Sequence, residues 1–212
     1  MKTRFPGVHV LPLCILALAL SWAGPAPAAD FDLILDARPG TLLISQGADL
    51  RVLGPDQFNP TRVTIIEEAG TLNTIPNLRL GAGFDTKNWY LDASGLLGVL
   101  VNSRYNGVLY GADAAAQYKY RKNVNIGPHA SFMLFPAPDW SGDGEVEFSD
   151  STAWLLGGQC SIGYDVLFVF TIDYMFADPF DVESKNPAVW QLDEDEVDIS
   201  GLCVQFGVRG RF

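Results

Sequence analysis

Basic residues are scarce in this 212-residue chain. Lys and Arg total 14 against 25 Asp and Glu, a formal net charge of −11. No basic stripe exists to neutralise phosphates, so nucleic acid is excluded as a partner. Charge of either sign is thin, at 18% against roughly 25% in soluble domains. Cysteine is limited to three residues, whereas a secreted domain stapled by disulfides would carry more. One long apolar run occurs, Val10–Leu20. No other reaches the ~18 residues of a membrane helix, which excludes a helical multi-span protein.

What is present begins with that run. Lys2 and Arg4 precede it and Ala26-Pro27-Ala28 follows, the pattern of a secretory signal over residues 1–29 with cleavage before Ala29 or Asp30. Cys14 follows Leu13 and so lacks the small residue that precedes a lipid-modified cysteine. Residues 30–60 read as an N-terminal extension or as extra strands, with Phe31–Leu35 and Thr41–Ser45 the candidates. Residues 61–212 read as one domain.

Period-two alternation of apolar residues, broken by Gly, Asn, Asp and Pro clusters, predicts strands. They fall at about 61–68, 77–84, 88–101, 108–120, 124–135, 152–164, 166–176 and 197–212. Connections alternate in length. Asp85-Thr86-Lys87, Arg121-Lys122-Asn123 and Tyr164-Asp165 are tight, whereas Asn102–Gly107, Pro136–Ser151 and Ala177–Glu196 are longer and increasingly acidic. Short turns at one end and long loops at the other are the pattern of an outer-membrane barrel.

Alternation alone also suits a soluble barrel with an apolar interior. Trp89, Leu91, Ala93, Leu97 and Val99 share one face of their strand. So do Val166, Phe168, Phe170, Ile172, Tyr174 and Phe176, and then Leu202, Val204, Phe206, Val208 and Phe212. The opposite face carries small residues such as Gly83, Ser94, Gly98, Gly111, Ser131, Gly157 and Ser161, rather than the Lys, Glu and Thr of a wetted surface. Small side chains fit the cramped inside of an eight-stranded barrel. Aromatic residues near the turns (Trp89, Tyr118, Tyr120, Tyr164 and Phe212) match an interfacial girdle. The fold class expected is all-β, an antiparallel up-and-down transmembrane β-barrel of eight strands, or ten if residues 30–60 add two.

The last strand, Ile199–Phe212, ends on Phe with Val208, Phe206 and Val204 at alternate positions before it. In this it resembles the small outer-membrane β-barrels of the OmpA-like transmembrane class. The resemblance covers about residues 61–212 in architecture, and only the last strand is a specific motif. It implies that Phe212 is the signal read by the barrel-assembly machinery and that the protein resides in the outer membrane of a diderm bacterium.

Three constellations could carry chemistry. Arg79, Asp92, Asp113, Lys119, Asp173, Arg209 and Arg211 lie on the polar face. Isolated charges there would be costly, so they are expected to pair and plug the lumen; the alternative is a narrow porin. His129-Ala130-Ser131 has the H-x-S spacing of the outer-membrane lipid A deacylases, which it resembles in that spacing alone. Phe132 stands where that family has Asn, Glu145 or Glu147 would lie in an external loop, and alternation points His129 inward. A luminal histidine bonded to a neighbour is the preferred reading over a lipid A-modifying hydrolase. Asp139–Asp150 places oxygen ligands at loop positions 1, 3, 5, 9 and 12 (Asp139, Ser141, Asp143, Glu147 and Asp150) with Gly144 at 6 and the Glu145 carbonyl at 7. That spacing suits Ca²⁺ in an external loop. The function expected is non-enzymatic: a monomer with a structural or surface-interaction role, its acidic loops meeting outer-membrane lipid and lipopolysaccharide.

Overall fold

The computed structural model describes residues 30–47, 49–56 and 63–212. The export signal read at residues 1–29 lies outside the described residues. Eight long strands carry the architecture: β1 (Asp30–Gly47), β2 (Asn77–Asp85), β3 (Trp89–Val101), β4 (Tyr105–Arg121), β5 (Val124–Phe135), β6 (Ser151–Gly163), β7 (Val166–Ala177) and β8 (Glu196–Arg211). Each pairs antiparallel with the next. β8 then pairs back onto β1, with Ile34 opposite Arg211 and Ile44 opposite Leu202, so the pairing closes on itself as a ring. Among the described residues no helix is long and apolar enough to cross a membrane.

The turns at 86–88, 122–123 and 164–165 all lie at one end, with the start of β1 and the end of β8. Thr86 fixes the first of them: its hydroxyl donates to the Trp89 carbonyl at 2.9 Å and accepts the Trp89 amide at 3.1 Å. The other end carries residues 49–56 and 63–76 and the connections 102–104, 136–150 and 178–195.

One expectation about the N-terminal part is corrected. Of the strand expected at 61–68, the described residues are not in the ring: Val63–Ala69 pairs with Leu50–Pro55, which in turn pairs with Gln191–Leu192, in a separate three-stranded sheet. Its short alternating pattern is satisfied by a local hairpin. The place in the ring belongs to β1, in which both candidate strands of residues 30–60, Phe31–Leu35 and Thr41–Ser45, fall. Pro39 interrupts β1 because it has no amide to donate, and the register shifts between Ala37 and Gly40. Gly40 supplies the room there for the Phe206 ring of β8, which lies where a β-carbon would stand.

The side chains divide as the pleat requires. Leu33, Leu35, Leu78, Leu80, Leu97, Val99, Phe168, Phe170, Ile172, Phe206 and Val208 face outward and are exposed. The inward positions form two layers. Toward the short turns they are polar and charged. Toward the long connections they are apolar (Leu43, Leu96, Leu109, Met133, Leu155 and Met175), and this core continues into the folded connections through Leu50, Val52, Val146, Phe148, Phe180 and Val182. Phe148 is its hub, packed on Tyr105 at 5.3 Å, Phe180 at 6.0 Å and Trp140 at 6.3 Å. Val146–Phe148 pairs with the strand Phe180–Ser184, which also pairs with β8. The long connections thus form a cap over one mouth of the ring. Cys203, in the apolar layer, and the half-buried Cys160 are both free thiols.

One contact inside the ring makes a prediction. The Tyr90 ring occupies the space a β-carbon would take at Gly83 on the neighbouring strand, and Arg211 stacks on the ring at 4.6 Å. Gly83→Val should therefore displace Tyr90 and cost about 1–3 kcal/mol, the usual penalty for overpacking. Urea unfolding followed by tryptophan fluorescence would measure it, and an unchanged midpoint would mean that Tyr90 does not fill that space.

Candidate functional site

Every ring strand contributes to the polar layer, because each places one or two long polar side chains at inward positions of the same height. β1 gives Asp36 and Arg38, two residues apart on one face. The register sets Asp36 opposite Arg79 of β2 on one side and Arg209 of β8 on the other. Cross-strand neighbours at this spacing are where opposite charges meet.

The bonds form one network. Arg209 donates to Asp36 Oδ2 from Nε at 3.1 Å and from Nη2 at 3.0 Å, and to Asp92 Oδ2 from Nη1 at 2.8 Å. Arg38 donates to the same Asp36 oxygen at 3.0 Å and to Gln159 at 2.7 Å. Arg79 pairs with Asp113 and donates to Gln205 and Asn77, both at 2.8 Å. His129 places Nε2 2.6 Å from Asp113 Oδ1 and Nδ1 2.8 Å from Asp173 Oδ1. With a proton on each ring nitrogen, four carboxylates face three guanidiniums and one imidazolium, and the layer is neutral. None of these charged side chains is open to solvent.

Of the residues expected in the lumen cluster, Arg79, Asp92, Asp113, Asp173 and Arg209 are brought together and two are not. Lys119 lies six residues beyond Asp113 along β4, about 20 Å nearer the short turns, where it bonds Asp85 and donates to the Thr86 carbonyl at 2.6 Å. Arg211 sits at the same rim, 3.6 Å from Asp85 and 3.8 Å from Asp32. The sequence reading missed Asp36 and Arg38, which are wholly buried. Their signal was present: Leu33, Leu35 and Ala37 alternate with Ile34, Asp36 and Arg38 until Pro39 breaks the pattern.

His129 and Ser131 lie inside the ring, as the alternation required. Ser131 Oγ is 3.4 Å from His129 Nε2, yet it donates to Asp113 at 2.6 Å instead. Both residues are buried beneath the apolar layer. Glu147 stands in the cap with Lys185 4.0 Å away. This arrangement does not offer a nucleophile to a lipid.

The loop residues expected to hold calcium are not all brought together. Among the described residues no group of three or more His, Cys, Asp or Glu side chains could hold a metal ion. Asp139, Asp143, Glu145 and Glu147 line an external cleft of about 750 Å³ beside Trp140 and Trp190. Ser141 is turned away, its hydroxyl donating to the Arg104 carbonyl at 2.8 Å, and Asp150 accepts the Ala137 amide at 2.8 Å. The cause is the core: Val146 and Phe148 are buried, which draws the segment into an extended strand with Glu147 pointing out. Gly144 makes a sharp turn, at φ 111°.

Elsewhere in the cap, Arg51 donates to Glu68 at 3.1 Å, which raises the guanidinium pKa, and Asp193 accepts its amide at 2.8 Å. Phe212 is 76% exposed at the end of β8, and its backbone exchanges two hydrogen bonds with Leu33, at 2.9 and 3.0 Å.

Outward aromatic side chains gather in two rows. Near the short turns Phe31 meets Phe84 edge-on at 5.5 Å and Trp89 meets Tyr118 at 5.6 Å, with Tyr120 and Tyr164 beside them. Toward the cap the register sets Phe132, Trp154 and Phe176 level on adjacent strands, with Phe132 and Trp154 4.9 Å apart. Ten residues separate Trp154 from Tyr164. At ~3.3 Å per residue and a tilt of ~40°, the rows stand about 25 Å apart.

No family model matches the chain, and no curated protein does. In fold the chain is similar to Ail, the attachment invasion locus protein of Yersinia pestis, whose crystal structure aligns with a TM-score of 0.47 and 11% identity over 88% of this chain and 100% of that one.

Proposed function

We propose that the chain is an eight-stranded outer-membrane β-barrel with a closed lumen, acting without catalysis through the acidic cap on its external end. The observation that carries this is the outward face: a continuous exposed apolar band between two aromatic rows. Soluble monomers rarely expose apolar patches beyond a few hundred Å². The spacing of the rows matches the ~25 Å apolar band of membrane barrels.

The cap supplies the interaction surface. Its described residues (49–56, 63–76, 102–104, 136–150 and 178–195) hold 15 Asp and Glu against 3 Lys and Arg. Such a surface would meet lipopolysaccharide phosphates through bridging divalent cations or dock a basic partner. The porin and lipid hydrolase readings have less support, because the polar layer is buried beneath a packed apolar one.

Single cysteines test the outward face, in a background where Cys160 and Cys203 are Ser. At Leu97 and Phe170, both outward in mid-strand, thiols should be shielded from a charged aqueous reagent once the protein is in vesicles. A thiol at Val189, in the cap, should react freely. Equal reaction at all three positions would replace the membrane reading with a soluble barrel.

A further inference from the structure

Five basic side chains gather at the short-turn mouth of the ring. Lys87, Lys119, Arg121, Lys122 and Arg211 line one pocket of about 570 Å³, with Asp85 the only carboxylate in its wall. Lys119 and Arg211 share that carboxylate, and Asp32 stands 3.8 Å from Arg211 at the same rim, so five cationic side chains meet two carboxylates. Lys87, Arg121 and Lys122 are exposed and make no ion pair among the described residues. Arg211 Nε is buried with no hydrogen-bond acceptor. The pocket therefore holds several converging cationic donors and too few acceptors. Phosphate oxygens are the ligand that suits such a set, accepting from guanidinium and ammonium together.

The position of the pocket indicates where the phosphate comes from. Tyr164 is in its wall, and Arg121 stands over the ring of Tyr120 at 5.6 Å. Both tyrosines belong to the aromatic row that marks headgroup depth. The unpaired cations thus lie just beyond that row, where a headgroup can reach the mouth across the turn at Lys122 and Asn123.

We infer that this pocket binds the phosphate of an anionic phospholipid in the leaflet on the short-turn side. The inference rests on the membrane reading above and adds a ligand to the end of the ring opposite the cap. Clusters of Lys and Arg at a membrane surface attract anionic headgroups in this way.

The test uses the refolded protein in vesicles of phosphatidylcholine, with and without a minority of phosphatidylglycerol, and counts retained lipids by native mass spectrometry. Wild type should retain phosphatidylglycerol over phosphatidylcholine by about tenfold. The triple variant Lys87→Ala, Arg121→Ala, Lys122→Ala should insert equally well and lose that preference. These three residues are exposed and form no ion pair among the described residues, so the variant is expected to fold; the single Lys122→Glu exchange, with a partial loss, is the second arm. Inorganic phosphate added in millimolar excess should not displace the lipid. Displacement would identify a free-phosphate site and overturn the lipid assignment. Equal preference in wild type and variant would overturn the site while leaving the membrane reading intact. Failure of both proteins to insert would remove the membrane reading and this inference with it.

Discussion

Arg209→Ala should lower stability by about 3–5 kcal/mol, the cost of leaving buried charge without its partner. Arg209 holds both Asp36 and Asp92. After truncation Asp36 keeps Arg38, but Asp92 keeps only the Gln117 amide, at 3.2 Å. Its other oxygen already lacks a partner. A packed apolar layer covers this charge on the cap side. A second variant separates charge from packing. Arg209→Met with Asp92→Leu removes one charge of each sign and fills similar volume, so it should recover much of the loss. Urea titration in vesicles, read by tryptophan fluorescence and extrapolated linearly, gives both values. A neutral Arg209→Ala would mean that water reaches the layer and that the ring is open.

The apolar layer was the least legible part of the fold. Leu96, Leu109, Met133, Leu155 and Met175 share a face with Asp92, Asp113, His129, Gln159 and Asp173. Each strand's inward face therefore changes character halfway along. Read one strand at a time, that change resembles noise in the alternation. It becomes a layer only when the register stacks the strands, and register follows from long-range pairing rather than from any local pattern. The outward faces of β3, β7 and the part of β8 from Leu202 onward were plain from sequence, because their outward positions are almost all apolar.

Pro39 and the Val63–Ala69 hairpin mislead in opposite directions. Pro39 and Gly40 break a strand that the ring continues through, since the shift in register absorbs the missing amide. Val63-Thr64-Ile65 alternates like a ring strand, yet Leu50–Pro55 lies close in sequence and pairs with it first. In the acidic loop, burial of Val146 and Phe148 extends the chain and parts Ser141 and Asp150 from the cleft that Asp139, Asp143, Glu145 and Glu147 line.

Deleting Phe212 should abolish surface assembly in cells while leaving refolding in vesicles nearly intact. Its structural contribution is modest: two backbone hydrogen bonds to Leu33 across the seam between β1 and β8, worth about 0.5–1.5 kcal/mol each, and an exposed ring. The seam holds ten further β1–β8 pairs from Leu35 to Gly47, so a terminal pair is not required for closure. The resemblance of the last strand to OmpA-like barrels implies a different use, as the residue that the assembly machinery reads. Phe212→Ala separates the two, because it keeps both backbone bonds and removes only the ring. If recognition dominates, Phe212→Ala and the deletion should fail alike in cells, with the exported chain accumulating outside the membrane, and both should refold in vesicles. Protease access on intact cells and heat-modifiable mobility in gels measure the two outcomes. If Phe212→Ala assembles normally and only the deletion fails, in cells and in vesicles together, the residue serves the seam and the recognition role is wrong.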